Sequence, residues 1–591
     1  MLHSNLNSVL PSLLAISMPK AVEGTLERVL GFREIRSLYG KLTSGTHERP
    51  IAEKLLQFLE VEYIASQRDF DHVPRKGPAV MVVNHPFGVL EGAVLATLLS
   101  RVRSDVKFLA NGILTAIPEI RDLLIPVDPM GQASANPGGL RKTLRFVEQG
   151  GLLVIFPAGE VSHFQWTQRG VTDPQWSADI ARLLEMAGRR TPGLVVIPAY
   201  IDGVNSVLFQ LLGLVHPRLR TALLARELLN KRRARVEVRA GAAIPISKVL
   251  AIPSNQERID YLRWRAYLLA ERKGFKPRTS LPLVRRGRAL SASATVAVAP
   301  AVHSGVVAAE VARLASDRLL DRSGSMAVYL APANEIPAVL TEIGRLREIT
   351  FRAAGEGTGK AFDLDEFDQH YLHLFVWSEK HSEIIGAYRL AATDSVRSLY
   401  TATLFQYGDA FLDRMGPALE LGRSFVRPQY QKSFSALLLL WKGIGKYVAR
   451  NPRYEVLFGA VSISAQYQSV SRRLMVSFLE RHALLKDWTN LVRVRNPFRA
   501  GPADELPQAV HDIDDLANVV SDIEPGQPGV PILLRQYLKL GGKLLGFNVD
   551  PNFSSVLDGL ILVDLTKTEP KLLERYLGSK EAAEFLAYQR G

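Results

Sequence analysis

Between residues 75 and 250, short runs rich in β-branched residues alternate with stretches of helical periodicity, and this alternation limits the possible folds. Strands are predicted at 79–84, 105–110, 151–157, 193–201 and 234–244, and helices at 89–101, 136–149 and 176–188. Strands separated by helices form a buried, largely parallel sheet with helices on its faces. The pattern therefore predicts an α/β domain over residues 61–275.

Beyond residue 275 the composition shifts to Ser, Ala, Pro and Arg without a steady period, which indicates a linker over residues 276–324. A helix is predicted at 305–320, and a second α/β segment fills residues 325–591. Its strands are predicted at 326–331, 373–379, 383–391, 418–426 and 455–464, with a long helix at 433–449. A chain of 591 residues exceeds what one hydrophobic core organises. The predicted fold class is therefore α/β, with two mixed α/β domains.

Composition narrows the chemistry. The chain has no cysteine, which excludes disulfides, thiolate metal sites and a cysteine acyl-enzyme, and fits a reducing compartment. The net charge of +14 favours an anionic partner. No apolar run is long enough to span a bilayer. Residues 1–60 form a helical segment that either lies flat on a membrane or packs on its own domain.

A histidine and a glutamate flank a break in the apolar run at residues 81–99. Six residues on a continuous helix would place His85 and Glu91 on different faces. Pro86 and Gly88 break the chain, so that a helix starting near Val89 has Glu91 in its first turn, facing back to His85. The pair is then either a general base with an orienting carboxylate or a capping glutamate beside a turn histidine.

Two further segments end predicted strands in polar turns. Phe-Pro-Ala-Gly-Glu-x-Ser covers residues 156–162, and Val-Ile-Pro-Ala-Tyr covers residues 196–200. With Asn-His-Pro-Phe-Gly-x-x-Glu-Gly at residues 84–92, these motifs resemble the glycerolipid (lysophosphatidate-type) O-acyltransferases over residues 60–250. The glutamate partner of the histidine and the shifted Glu160 resemble the branch that acylates aminolipids.

This resemblance implies a role for each matching residue. His85 deprotonates an acceptor hydroxyl that attacks an acyl thioester, and Glu91 orients His85. Asn84 and Gly88 shape the turn. The acceptor's polar head is held by Gly159, Glu160 and Ser162.

The C-terminal half carries dense charge before apolar strands. Arg347 precedes a Gly-rich turn, and Asp365 and Asp368 belong to an acidic cluster for which Arg389 and Arg423 are candidate partners. The neighbouring Asp363 and Glu366 are expected in a solvated loop. Glu420 and Arg423 interrupt an otherwise apolar strand, either as functional groups or as ordinary residues on a solvated face.

The order LRxxxFR, DxDxFDxxYxHL, GxYRL and ELGRSFV resembles GNAT-type acyltransferases that use acyl carrier protein, and it is similar to ornithine-lipid N-acyltransferases. The resemblance implies that strands 418–426 and 455–464 splay apart to admit the pantetheine arm. Residues 427–436 lack the glycines of a pyrophosphate loop, which favours acyl carrier protein over free CoA as donor, with Arg427, Lys432 and Lys442 as contacts.

An amine acceptor is implied, with Glu420 as the base. Asp365 and Asp368 with Arg347 would shape an amino-acid pocket, which suits the cationic side chain of ornithine.

The whole chain resembles bifunctional ornithine-lipid synthases, in which N-acylation with a 3-hydroxyacyl group creates the hydroxyl that the N-terminal domain acylates. The expected partners are acyl carrier protein, an anionic membrane surface, and amino-acid and lyso-aminolipid substrates. The expected place is the cytoplasmic face of the inner membrane or the cytoplasm. Basic residues predicted to face the membrane or carrier are Lys231, Arg232, Arg233, Arg235, Arg285, Arg286 and Arg288.

Two alternatives stay open: a lysophospholipid acyltransferase whose second domain acylates another amino acid such as glycine, and a non-catalytic carrier or membrane scaffold. No bound cofactor or metal is expected, because the histidines show no paired-ligand spacing. Nucleic acid is not an expected partner, because the basic residues are dispersed and no aromatic platform accompanies them.

Overall fold

The computed structural model describes residues 30–44, 49–127, 137–215, 217–272, 296–431, 434–499, 506–527, 529–551 and 553–590. The chain divides into two compact units, residues 1–285 and 286–591, each with its own sheet. The predicted fold class is therefore confirmed. Residues 1–29 of the predicted N-terminal segment lie outside the described residues.

Most strands of the N-terminal unit belong to one eight-stranded sheet. In chain order the strands are β1 (Glu62–Ile64), β2 (Ala79–Val83), β3 (Val106–Asn111), β4 (Leu124–Val127), β5 (Leu152–Ile155), β6 (His163–Gln165), β7 (Gly170–Thr172), β8 (Val195–Ile201), β9 (Arg235–Ala240) and β10 (Ile244–Pro245). The sheet order is β1-β9-β8-β2-β5-β3-β4, with β10 paired to β8, while β6 and β7 form a separate hairpin.

Helices connect these strands and cover the sheet. They are α1 (Phe32–Thr43), α2 (Ile51–Phe58), α3 (Gln67–Asp71), α4 (Leu90–Leu99), α5 (Pro137–Glu148), α6 (Ala178–Arg190), α7 (Val207–Val215), α8 (Pro217–Ala222), α9 (Leu224–Leu229), α10 (Ile246–Leu250) and α11 (Asn255–Leu268).

Strand β2 is the centre of this sheet, and every one of its residues is buried. It pairs in parallel with β5 on one side and with β8 on the other. The carboxyl ends of parallel strands meet at one edge, where ligands bind in open α/β sheets. The chain therefore leaves β2 at Asn84 and His85 in the middle of that edge.

A buried ion pair joins the chain after α11 to α3, near the start of the unit. Arg272 Nη1 donates to Asp69 Oδ1 at 2.6 Å, and Arg272 Nη2 donates to the Ala240 carbonyl at 3.1 Å. Asp69 Oδ1 also accepts from the Ala240 N–H at 2.8 Å. One carboxylate thus joins α3, β9 and the end of the unit.

The C-terminal unit contains a second eight-stranded sheet, ordered β11-β12-β13-β14-β16-β17-β20-β19, and a separate β15–β18 pair. The strands are β11 (Leu319–Ser323), β12 (Met326–Pro332), β13 (Leu372–Ser378), β14 (Glu383–Ala392), β15 (Phe405–Tyr407), β16 (Ala418–Val426), β17 (Val456–Ile463), β18 (Val492–Val494), β19 (Lys543–Asp550) and β20 (Val556–Asp564). The helices are α12 (Ser304–Ala312), α13 (Pro337–Ala353), α14 (Asp409–Met415), α15 (Phe434–Arg450), α16 (Ser469–His482), α17 (Ile513–Ile523), α18 (Ile532–Lys539), α19 (Pro570–Leu577) and α20 (Ser579–Tyr588).

At the start of this unit, the predicted end of a helix and the predicted end of the linker differ from the structure. The helix expected at 305–320 ends at Ala312, and residues 319–323 instead form β11, which pairs with β12 through a two-residue turn. Gly324 in that turn has a φ of +59°, the left-handed value that such hairpins need. Val307 and Val311 of α12 pack into the core of the unit. The chain from Ser304 onward is therefore part of the folded unit and not of a linker ending at 324.

Strands β16 and β17 are the parallel neighbours in an otherwise antiparallel sheet, and they separate along their length. Ala418, Leu419 and Glu420 pair with Val456, Leu457 and Phe458, and no later residues of the two strands pair. A Cβ built on Gly459 would lie 2.1 Å from the Leu421 carbonyl oxygen. The strands therefore diverge immediately after a close backbone contact that glycine permits. Within the described ranges, no helix combines the length and the apolar character needed to cross a bilayer.

We expect Gly459→Ala to lower the free energy of unfolding of the C-terminal unit by about 1–3 kcal/mol, because the new methyl group would displace backbone. Gly422→Ala on β16 is the matched control, since no atom lies within 4 Å of a Cβ at that position. Calorimetry of the full chain measures both. Equal unfolding temperatures for the two variants would contradict this account of the strand separation.

Two candidate active sites

The turn between β2 and α4 brings His85 and Glu91 together. His85 Nδ1 lies 2.7 Å from Glu91 Oε1. The same oxygen accepts from the backbone N–H of Phe87 at 2.9 Å and of Gly88 at 2.8 Å. Glu91 is therefore both the partner of the histidine and the acceptor for the turn that positions it.

Local sequence explains this turn. Gly88 adopts a φ of +109°, and a Cβ there would also meet Leu224 at 2.9 Å. α4 begins at Leu90, which places Glu91 in the first helical turn. Exposed N–H groups and the helix dipole both favour a carboxylate at that position.

The electrostatics of the pair suit a base. Burial opposes protonation of His85, but the Glu91 carboxylate outweighs it and raises the pKa of His85. Burial also disfavours the Glu91 charge, yet His85 and the turn amides hold the pKa of Glu91 below its usual value. The Glu91 side chain is 0% exposed and the His85 side chain 16% exposed. Nε2 of His85 has no hydrogen-bond partner among the described residues, so it is the nitrogen left for a ligand.

The surroundings fix the histidine in place. Its ring stacks on Phe156, with centroids 4.4 Å apart. Asn84 is buried and exchanges two hydrogen bonds with the backbone of Ile201, at 2.9 and 2.7 Å, which ties the end of β2 to β8. The Ser162 N–H donates to the His85 carbonyl at 2.8 Å, so the turn after β5 ends beside His85.

Asp173, which sequence reasoning missed, organises this framework. Its Oδ1 accepts from the His85 N–H at 3.1 Å and from the Ser162 hydroxyl, and its Oδ2 accepts from Trp176 Nε1 at 2.8 Å. Ser162 is buried and its hydroxyl is committed to Asp173, so it holds the turn instead of facing an acceptor as expected. Nothing in the sequence pattern links Asp173 to a histidine 88 positions earlier.

Gly159 and Glu160 lie on the turn after β5, where Gly159 has a φ of +67°. The Glu160 side chain is half-exposed, and its Oε2 accepts from Arg220 Nη2 at 2.6 Å. Glu160 is thus accessible but already neutralised by one arginine.

The basic residues expected to face an anionic surface are engaged locally. Arg232 and Arg233 both pair with Glu60, and Lys231 Nζ donates to the Val204 carbonyl at 2.8 Å. Arg235 lies 3.9 Å from Glu62. Arg285, Arg286 and Arg288 fall outside the described residues.

In the C-terminal unit, Glu420 is not placed to act as a base. Glu420 is only 1% exposed. Oε1 accepts from the Thr401 N–H at 2.7 Å and from the Thr401 hydroxyl, and Oε2 accepts from the Tyr371 hydroxyl. A carboxylate with this many donors has no free position for a substrate proton, so Glu420 anchors the 400–403 turn to β16.

Arg347, Asp368 and Arg389 form a buried ionic framework and do not line an amino-acid pocket. Arg347 binds Asp368 with two hydrogen bonds of 2.9 Å, and Arg389 Nη1 lies 3.2 Å from Asp368. Burial opposes the Asp368 charge, but Arg347 and then Arg389 hold the pKa of Asp368 far below its usual value. Asp365 is satisfied by Arg389 Nη1 at 2.5 Å. These carboxylates were expected to attract the cationic side chain of ornithine, but arginines of the protein already neutralise them.

Asp363 also differs from its expectation, because it is buried and not solvated. Its Oδ2 lies 3.3 Å from Arg347 Nε and 3.6 Å from Arg423 Nε. Arg423 sits where β16 slips against β14, at a φ of +49°. Its guanidinium lies over the rings of Tyr400 and Phe553, at 4.8 and 4.7 Å from their centroids. Sequence could not reveal this bulge, because the positive φ falls on Arg423 and not on the neighbouring Gly422.

Comparisons with known proteins agree with two acyltransferase units. Residues 53–274 match a family described as "Acyltransferase", and residues 346–442 match "Acetyltransferase (GNAT) domain". The glycine N(alpha)-acyltransferase of Bacteroides thetaiotaomicron is 32% identical over 269 residues, which are 42% of this chain and 79% of that protein. The L-ornithine N(alpha)-acyltransferase of Brucella abortus is 27% identical over 44% of this chain and 91% of that protein.

A third relative is named as an O-acyltransferase. The lyso-glycine lipid O-acyltransferase of Bacteroides thetaiotaomicron is 27% identical over 160 residues, which are 27% of this chain and 54% of that protein. The chain is an acyltransferase. It belongs to the family of the glycine N(alpha)-acyltransferases.

Glu91→Gln is expected to lower the pKa of His85, because it removes the charge that raises it. The acidic limb of the pH–rate profile for acyl transfer by the N-terminal unit should therefore move to lower pH, and the plateau rate should fall at least about tenfold as the base weakens. Initial rates between pH 5 and 9 test this. An unshifted limb would show that Glu91 only caps α4.

Glu420→Gln should reduce the free energy of unfolding by about 1–3 kcal/mol, because charge-assisted hydrogen bonds to the 400–403 turn weaken. The shape of the pH profile for acyl transfer by the C-terminal unit should stay that of the wild type. A lost pH limb in this variant would restore Glu420 as the base.

Proposed function

We propose that the chain makes a two-chain aminolipid in two successive acyl transfers. The C-terminal unit joins a 3-hydroxyacyl group to the α-amino group of an amino acid, and the N-terminal unit then acylates the resulting hydroxyl. The carrying observation is that one chain resembles both an N-acyltransferase and an O-acyltransferase, and that those two relatives from one organism are named for glycine and lyso-glycine lipid.

The N-terminal geometry supports direct transfer to an alcohol. His85 Nε2 takes the hydroxyl proton, the oxygen attacks the thioester carbonyl, the carbon–sulfur bond breaks, and the thiol leaves with the proton that His85 returns. Glu91 keeps Nδ1 protonated and the ring in place, and it stabilises the imidazolium that forms. No cysteine is required, which agrees with the composition.

The C-terminal geometry supports a thioester donor placed at the divergence of β16 and β17. We propose acyl carrier protein as that donor, since the segment after β16 lacks glycines and an acidic carrier suits a chain of net charge +14. Arg427, one proposed contact, is paired with Glu383 in the structure, and Lys432 lies outside the described residues. Lys442 lies on α15.

The proposed acceptor is ornithine or glycine, the two amino acids in the relatives' names. Asp365 and Asp368 do not favour ornithine over glycine, because arginines neutralise both carboxylates. The proposed place of action is the cytoplasmic face of the inner membrane, where the lipid product is needed, with the chain as a peripheral protein.

His85→Ala separates the two steps. In a bacterial host that lacks aminolipids, the wild-type chain should produce a two-chain aminolipid, and His85→Ala should accumulate the monoacyl amide. O-acylation should fall by a factor of about 10² to 10⁴ when the base is lost. Mass spectrometry of extracted lipids identifies the headgroup as ornithine or glycine.

His381→Ala, an exposed histidine between β13 and β14, is the matched control and should leave the lipid pattern unchanged. Unchanged two-chain product in His85→Ala would favour a scaffold. Thiol release by purified protein from acyl carrier protein or CoA thioesters identifies the donor, and the chain itself contributes no thiol to that assay.

A further inference from the structure

Beside the divergence of β16 and β17 lie carboxyl groups that take no part in the buried ionic framework of Arg347, Asp368 and Arg389. Asp558 on β20 pairs in register with Ser462 of β17 and with Asn548 of β19. Side chains at directly paired positions lie on the same face of a sheet. The Ser462 hydroxyl donates to Glu356 Oε2 at 2.9 Å, which brings Glu356 to this face as well.

This position is next to the opening in the sheet. Ser462 belongs to the part of β17 that lies beyond Phe458, where β17 no longer pairs with β16. The β19–β20 connection packs against the segment that carries Glu356, since the Ser554 hydroxyl donates to the Gly357 carbonyl at 2.9 Å. A thioester seated between β16 and β17 would thus have these carboxyl groups beside it.

Asp558 is deeply buried, with 6% of its surface exposed. Among the described residues, no group donates a hydrogen bond to its carboxyl or pairs with it as a salt bridge. Opposite it, Asn548 is 0% exposed, and its Nδ2 has no hydrogen-bond partner within the described residues. The Asn548 Oδ1 accepts from the Asn496 N–H at 2.8 Å, so the unpaired groups on this buried face are the Asp558 carboxyl and the Asn548 amide nitrogen. Unpaired buried polar groups cost free energy, which a purely structural role does not explain.

The charges around Asp558 favour a cation. Burial raises the pKa of Asp558 to about 8, with Asp550 and Glu356 adding to the rise and Arg423 opposing it. Burial likewise raises the pKa of Glu356, although its bond from Ser462 lowers it. In the described part of the chain, no group of three or more His, Asp or Glu side chains is arranged to hold a metal ion. The cation that best fits these carboxyl groups is therefore an organic ammonium group.

We propose that Asp558, with Glu356 and Asp550, binds the ammonium group of the amino acid that the C-terminal unit acylates. This inference rests on the proposed N-acyl transfer. The ammonium displaces the proton of Asp558 to solvent, and the Asp558 carboxylate then takes one proton from the ammonium. The amine nitrogen attacks the thioester carbonyl, the carbon–nitrogen bond forms, the carbon–sulfur bond breaks, and the thiolate leaves with the second proton of the nitrogen.

Asp558→Asn tests the assignment with glycine and L-ornithine as acceptors and 3-hydroxyacyl carrier protein as donor. We expect kcat/KM for the acceptor to fall at least about 100-fold, with KM for the donor within about twofold of wild type and partial recovery in Asp558→Glu. Asp564→Asn on the same strand is the matched control, because Asp564 pairs with Lys567 at 2.7 Å and should leave both constants unchanged.

Stability provides an independent readout. Between the usual Asp value of 3.8 and about 8, the folded state binds the Asp558 proton that the unfolded state has lost, so this group makes wild-type stability fall as pH rises. Asp558→Asn removes that effect, and its unfolding temperature relative to wild type should increase from pH 4 to pH 8. If this variant does not fold, Glu356→Gln in the same assay should show the same loss for the acceptor.

The outcomes separate the two proposals. Wild-type thiol release with near-normal acceptor kcat/KM in Asp558→Asn and Glu356→Gln would overturn the ammonium site and leave N-acyl transfer standing. Absence of release in the wild type with both amino acids would overturn the proposed N-acyl transfer and the ammonium site with it.

Discussion

A carboxylate removed completely from water stays ionised only when nearby groups replace its hydration, and at Glu91 they do so on Oε1. Two backbone amides of the turn and the imidazole of His85 converge on one of its oxygens. The turn, the start of α4 and the orientation of the histidine are therefore one arrangement. The proposed chemistry of the N-terminal unit depends on this arrangement. Because Nδ1 of His85 is bound to Glu91, Nε2 is the nitrogen available to a substrate.

In the C-terminal unit, the same principle separates buried carboxylates that hold the fold together from one that is available to a substrate. Glu420 and Asp368 are buried carboxylates with several donors or cations each, and they fix loops and strands. Asp558 is buried to a similar extent without such partners. A buried carboxyl that the protein leaves uncompensated is a natural position for a charge supplied by a substrate.

Much of the architecture could be predicted from residue patterns. The strands around 79–84, 418–426 and 455–464 stand within one residue of their predicted ends, because runs of β-branched and aliphatic residues there are bounded by Gly, Pro or charged turns. The meeting of His85 and Glu91 also followed from local sequence, since Pro86 and Gly88 control the intervening turn.

Partners distant in the chain could not be predicted in this way. The apolar strand around Glu420 left open whether this residue is functional or faces solvent, and it does not reveal that Tyr371 and Thr401 donate to the carboxylate. Asp173 reaches His85 across 88 positions, and Asp558 reaches Ser462 across 96, through strand order alone. The helix expected at 305–320 is shorter for a different reason, because Ser-Gly-Ser at residues 323–325 forms the turn of a hairpin whose first strand starts at Leu319.

The brief contact between β16 and β17 has a mechanical consequence. Strands β11, β12, β13, β14 and β16 form one half-sheet and β17, β20 and β19 form another, and three residue pairs join them. In a continuous sheet, hydrogen bonds along the full length of each strand resist sliding of its neighbour. Between β16 and β17, these hydrogen bonds are confined to a short seam formed by the three residue pairs. Beyond the seam no backbone pair joins the two strands, so the width of the gap there is set by side chains and not by backbone hydrogen bonds.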